Sequence, residues 1–140
     1  MITAPRQIKI DFDSTCVLNM SPFVGPEIPG CVQVLKKLMN AGHDLILETM
    51  RVDDQLNEAV AWFKARGIKL YAKNCNPAYE TGSRKIYGHL SIDDHNLGVP
   101  LIHNHQIHPK PFVDWIAVDK ILEEKGYYIQ QNVDKKSVPA

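Results

Sequence analysis

The chain has 140 residues, 44% of them hydrophobic and 23% charged, with sixteen basic and sixteen acidic side chains in balance. That length suits one domain over residues 1–140 that buries its own core, and the zero net charge excludes a whole-molecule basic footprint and argues against nucleic acid as a partner. The three cysteines, Cys16, Cys31 and Cys75, are odd in number with no Cys-x-x-Cys pair, which excludes a disulfide frame or zinc site and points to reduced thiols in a cytoplasmic protein. No signal-peptide h-region opens the chain, and no apolar run approaches the ~18 residues of a membrane span.

Residues 7 to 11 read as a first strand, Ile8 and Ile10 being its apolar core. Successive strand side chains alternate faces, so Asp11 and Asp13, two positions apart, are aimed at one spot where the strand gives way to a loop. Two carboxylates there repel unless a cation, a proton or a substrate charge compensates them. Alone, D-F-D-S-T is equally a strand end followed by an Asx-type turn. Residues 19 to 30 carry three prolines and two glycines, which forbids a long helix. Val34, Leu35, Leu38 and Met39 then follow helical spacing up to Gly42, a C-cap. Leu45, Ile46 and Leu47 form a second buried strand ending near Thr49.

Residues 53 to 66 open with acids and close with bases, as a helix dipole favours, with Leu56, Val60 and Phe63 as the apolar stripe. A third strand is expected at 68 to 72, then a loop with one helical turn. A fourth strand lies within 89 to 96 and again ends in paired aspartates, Asp93 and Asp94. Residues 98 to 102 read as a fifth, short strand and 112 to 125 as a last helix. The tail after Tyr128 is polar and expected to fray. Strands and helices alternating in units of about thirty residues predict an α/β fold. The expected form is a Rossmann-like three-layer sandwich, a parallel sheet with helices on both faces. Ligands in such sheets bind beyond the carboxyl ends of the strands, and Asp11, Thr49 and Asp93 all fall at such ends.

The candidates gathered there are Asp11, Asp13, Asp93 and Asp94, with Thr49, Arg51 and Lys85. Four carboxylates against two cations leave an excess negative charge that a divalent ion would balance, and an all-oxygen donor set favours Mg2+ over zinc. A phosphoryl group attacked by a carboxylate also needs donors for its equatorial oxygens, which Thr49 and Lys85 supply, and an acid for the leaving oxygen, for which Asp13 is placed.

The order of these parts resembles the haloacid dehalogenase (HAD) superfamily of phosphohydrolases. I-K-I-D-F-D-S-T looks like its first motif, an apolar strand followed by D-x-D-x-T; L-I-L-E-T-M-R resembles the second. Lys85 in S-R-K-I-Y-G-H looks like the third-motif lysine, and L-S-I-D-D-H-N-L-G resembles the acidic fourth motif. The likeness runs from about residue 7 to 102 and is nearest to small, nearly capless hydrolases. It implies Asp11 as the nucleophile that forms an aspartyl-phosphate and Asp13 as acid/base. It also implies Mg2+ held by the Asp11 carboxylate, the Asp13 backbone carbonyl and Asp93 or Asp94. Ser14 departs from the pattern, since the commonest members have Gly there; Cys16 replaces an aliphatic residue. Ser14, Thr15, Arg51 and Asn74 are expected beside the substrate.

Each residue has a plainer reading. Thr49 alone is a β-strand threonine; Arg51 pairs equally well with Asp53 or Asp54; Lys73 competes with Lys85; Asn76 shares the loop of Asn74. His103, His105 and His108 match no zinc spacing and read as a surface loop acting on substrate or assembly. Trp62, Phe63 and Trp115 read as core. No sizeable cap is encoded, so the expected site is open, covered by a large phosphorylated substrate or by a second copy of the chain. The reading is a Mg2+-dependent phosphomonoester hydrolase. The alternative is a catalytically inactive HAD-fold module that binds Mg2+ or phosphate for regulation.

Overall fold

The computed structural model describes residue 2 and residues 4–131. Four short strands form one parallel sheet: β1 (Gln7–Ile10), β2 (Asp44–Leu47), β3 (Ala72–Lys73) and β4 (Leu90–Ile92), in spatial order β3-β2-β1-β4. Ile8 lies opposite Leu45 on one side and Leu90 on the other, and Ile10 opposite Leu47 and Ile92. With neighbours on both edges, β1 buries Ile8 and Ile10 completely. The strand nevertheless alternates in sequence: Ile8 and Ile10 share one face, and the half-buried Lys9 lies between them on the other. The α/β architecture, a parallel sheet with three helices, fits a coarse Rossmann-like class.

Helix α1 (Cys31–Asn40) buries Val34, Leu35 and Leu38, the positions that helical spacing selects. It starts from Gly30 at φ 90°, where an added Cβ would stand 3.0 Å from the Trp115 Cβ. Backbone and packing both ask for glycine at that position. Helix α2 (Asp53–Ala65) carries Asp53 and Asp54 in its first turn and Lys64 in its last. Its buried residues are Ala59, Trp62 and Phe63, while Leu56 and Val60 of the expected stripe are half-buried. Phe12 explains the shift: its ring meets Trp62 edge-on at 5.5 Å and Phe63 at 5.8 Å, fastening α2 to the residue between the two aspartates.

Three expectations are corrected. The third strand is Ala72–Lys73, not 68–72; Ile68 is buried outside any strand, and the Tyr71 N–H donates to the Leu45 carbonyl at 2.7 Å before the strand begins. The fifth strand, β5 (Leu101–Ile102), stands apart from the parallel sheet and pairs antiparallel with β6 (Phe112–Val113). Because 112 and 113 are strand, helix α3 begins at Trp115 and runs to Glu124, with the Asp114 side chain accepting from the Ala117 N–H at 3.2 Å as N-cap. Past Tyr128, Gln131 is buried and donates its N–H to the Ala41 carbonyl at 2.8 Å, so the chain is tied down there; residues 132–140 of the expected frayed tail lie outside the described residues.

Helices α1 and α3 touch, bridged by Lys37 Nζ to Asp119 at 3.2 Å. Among the described residues, no helix is long and apolar enough to cross a membrane.

Candidate active site

Parallel pairing brings the carboxyl ends of β2, β1 and β4 to one edge. The Asp11 N–H donates to the Ile92 carbonyl at 3.1 Å and the Glu48 N–H to the Ile10 carbonyl at 2.9 Å, so the residues after each strand emerge side by side. There a cleft of ≈ 580 Å³ is lined by Asp11, Asp13, Ser14, Thr49, Arg51, Asp93 and Asp94. A second cleft, ≈ 650 Å³, runs along residues 123–127 at the end of α3 and brings together none of the candidate residues.

Asp11 is the electrostatic centre. Thr15 Oγ1 donates to its Oδ2 at 3.1 Å, and the Asp94 carboxylate stands close enough to hydrogen-bond with it. Burial first, and then the neighbouring Asp94, push the Asp11 carboxyl up to about 7, against the pull of the Phe12 N–H and the Thr15 hydroxyl. Two carboxylates so close share a proton or a cation. Thr15 itself is fully buried; it orients Asp11 and does not face substrate, which corrects its expected role.

Asp13 is held by Arg51 in a fork: Nε to Oδ2 and Nη2 to Oδ1, both 2.8 Å. Arg51 is 4% exposed. It also donates to the carbonyls of Pro22 at 3.1 Å and Phe23 at 2.8 Å, and its guanidinium lies over the Phe12 ring. Its hydrogen bonds to the Asp13 carboxylate hold that guanidinium more firmly protonated than usual. Arg51 is therefore a clamp on Asp13 and on the 19–23 loop, lining the cleft with its guanidinium already engaged. Its partner is not Asp53 or Asp54, both of which are exposed.

Thr49 lines the cleft. Its Oγ1 accepts the Arg51 N–H at 3.2 Å, leaving the hydroxyl proton for a ligand. The Asn74 Oδ1 accepts the Thr49 N–H at 2.8 Å from a left-handed backbone at φ 51°. Asn74 thus fixes the end of β2 and is not among the cleft residues. Asn76 is buried, donating to Gln7 Oε1 at 2.8 Å and to the Tyr87 carbonyl at 2.9 Å, which makes it a structural link.

Ser14 sits at φ 63°, the conformation that glycine adopts without strain. Its N–H donates to the Val17 carbonyl at 2.7 Å and its carbonyl accepts the Val113 N–H at 3.0 Å, so the left-handed turn is fixed from both sides. Ser14→Gly is accordingly expected to raise stability by about 0.5 kcal/mol, relief of left-handed strain outweighing the looser unfolded chain. Urea denaturation checks it; a loss of more than that amount would show that the Ser14 side chain contributes packing.

The two aspartates after β4 separate cleanly. Asp93 is consumed by its own turn, with Oδ1 accepting the His95 N–H and Oδ2 accepting from Asn96 Nδ2, both at 2.8 Å. Asp94 is the one beside Asp11. Cys16 is fully buried, fills the apolar position expected of it, and points its Sγ at the Asp11 carbonyl, 3.4 Å away.

With this geometry in view, one solved structure is informative. A conserved protein from Bacteroides thetaiotaomicron is 35% identical to this chain, aligned over 86% of this chain and 92% of that one, with a TM-score of 0.71. The chain belongs to the same family as that protein. No family model matches the chain, and no curated protein matches it.

In this member of the family the lysines fall differently from expectation. Lys85 lies in the exposed stretch 80–85 and Lys73 is exposed in β3; neither lines the cleft. Lys110 does. It comes from the loop between β5 and β6, a region read only for its histidines. The signal available was H-P-K-P: prolines on both sides restrict the backbone and present the lysine rigidly. Of the histidines, His108 bonds through Nε2 to the Asn19 carbonyl at 2.8 Å and accepts the Lys110 N–H at Nδ1, 3.0 Å; His103 and His105 are exposed. Among the described residues, no group of three or more His, Cys, Asp or Glu side chains is arranged to hold a metal ion.

Proposed function

We propose that the chain is a Mg2+-dependent phosphomonoester hydrolase of the HAD type, built as a three-layer Rossmann-like sandwich without a sizeable cap. The observation that carries this reading is the Asp11 carboxylate, oriented by Thr15 and crowded by Asp94 at the ends of adjacent parallel strands. Asp11 attacks the phosphorus and the P–O ester bond breaks, the leaving oxygen taking a proton from water; a second water then cleaves the aspartyl-phosphate to regenerate Asp11 and release phosphate. Thr49 donates its free hydroxyl proton to a phosphoryl oxygen. Asp13, partner of Arg51, suits the base step, taking a proton from the attacking water.

The donor set fits Mg2+ sparsely. Asp11 and Asp94 are two carboxylates, and Mg2+ sites are commonly completed by water, backbone carbonyl and substrate phosphate oxygens rather than by a third side chain. When bound, the ion offsets the charge of the carboxylates and of the phosphoryl oxygens. Asp93, whose oxygens are already occupied, supports the turn that presents Asp94.

Hydrolysis of an aryl phosphate tests the reading, because that leaving group departs without a proton. Turnover with Mg2+ that is lost in EDTA and in Asp11→Asn supports it; turnover that survives Asp11→Asn sinks the mechanism. Asp94→Asn is expected to weaken Mg2+ binding by about tenfold or more, whereas Asp93→Asn lowers stability by about 1 kcal/mol through its lost hydrogen bonds. Calorimetric titration of both variants checks the assignment, and the reverse order would exchange the two roles. The clamp of Arg51 on Asp13 favours a second reading, a module that binds Mg2+ and phosphate without turnover. Binding of both with no hydrolysis would select it.

A further inference from the structure

The cleft is rich in acids, and its two cations are not equivalent. Arg51 is spent on Asp13. Lys110 lines the same cleft and, among the described residues, has no ion-pair partner. Its position is set by the molecule and not by chance exposure. β5 and β6 pair as a ribbon, the Val113 N–H anchors that ribbon to the Ser14 carbonyl at 3.0 Å, and His108 joins the Asn19 carbonyl to the Lys110 N–H. A single imidazole thus ties the backbone of the unpaired lysine to the loop that follows the nucleophile. A dianionic phosphate entering a cleft of carboxylates needs one mobile ammonium that no protein carboxylate has neutralised.

Resting on the hydrolase reading above, we propose that Lys110 is the cationic phosphate-binding residue of the cleft and that His108 is the residue that positions it. Lys85 then has no part in phosphate binding. The ligand class is a phosphate dianion, free or esterified, whose peripheral oxygens the ammonium holds while Thr49 holds another. His108 acts through Lys110 and touches no substrate.

The test is calorimetric titration of inorganic phosphate in the presence of Mg2+, with KM and kcat for an aryl phosphate measured in parallel. Loss of one charge-assisted contact predicts that Lys110→Met weakens phosphate binding by roughly ten- to a hundredfold. Lys110→Arg recovers part of the loss, and Lys85→Met stays within about twofold of wild type. His108→Ala weakens phosphate binding in the wild-type background and adds nothing in the Lys110→Met background, an outcome that general loosening of the loop would not give. Wild-type hydrolysis with an unchanged KM and phosphate affinity in Lys110→Met overturns this inference alone, as does a loss confined to Lys85→Met. A wild-type protein that neither binds phosphate nor hydrolyses the ester overturns the hydrolase reading and this inference with it.

Discussion

Asp11→Asn, in EDTA at pH 8, is expected to unfold at a higher temperature than the wild type. Asp11 titrates near 7 in the folded protein against an ordinary 3.8. A carboxyl raised on folding contributes stability that is fully present below its unfolded pKa and is lost as pH rises through the folded one. At pH 8 the wild type bears the whole cost of an ionised Asp11, buried and facing Asp94; the amide does not. The gain is about 2–4 kcal/mol, or roughly 5–15 °C in Tm for a chain of this size. The gap between the two proteins narrows as pH falls below 7 and closes toward 3.8. Mg2+ narrows it from the other side, since an ion that binds the native wild type stabilises it by mass action. Thermal melts from pH 4 to pH 8, with and without Mg2+, check all three statements. A gap that does not change with pH would show that neither burial nor Asp94 raises the Asp11 carboxyl. The cost falls on one side chain: the group that the proposed chemistry needs is also the one the fold would discard for stability.

Arg51→Ala has the opposite sign. Arg51 satisfies both oxygens of Asp13 and the carbonyls of Pro22 and Phe23 from a nearly inaccessible position. Removing it leaves a half-buried carboxylate and two carbonyls without their donor, which costs about 3–5 kcal/mol. Arg51→Lys keeps the charge but cannot reproduce the fork, and is expected to lose about half of that. Urea denaturation gives the values. If Arg51→Ala lost less than about 1 kcal/mol, the pair would be behaving as an exposed one. Any phosphatase activity should fall in both variants, because Asp13 is then free to leave the geometry in which it faces the cleft.

Much of the site was legible because it is a consequence of strand direction. In a parallel sheet every strand delivers its last residue to the same edge, so Asp11, Thr49 and the Asp93-Asp94 pair are found by locating three strands and reading on. Arg51 was found for the same reason and misassigned, because its partner is 38 residues away while Asp53 and Asp54 are close in sequence. Local spacing reports neighbours on one strand or helix and is silent on contacts across the fold. Lys110 was missed on the same ground: its cleft position depends on β6 pairing back to β5, and Phe112 and Val113 read equally well as the start of α3. Asp93 and Asp94 are indistinguishable in sequence, and only the turn that occupies both oxygens of Asp93 separates them. Ser14 was noted as a departure from glycine, and its left-handed backbone gives that departure a physical meaning.

The loop after Asp11 is fastened by a segment distant in sequence. The Trp115 indole N–H donates to the Thr15 carbonyl at 2.6 Å across 100 residues of sequence, and His108 reaches back 89 residues to Asn19. During synthesis, a nascent chain that has emerged as far as Gly98 already carries Asp11, Asp13, Thr49 and Asp94, yet lacks both of these fastenings. The carboxylates therefore wait for their surroundings until the segment from His108 to Trp115 has been translated. At about 5–20 residues per second that delay is a matter of seconds, during which the loop after Asp11 has neither fastening.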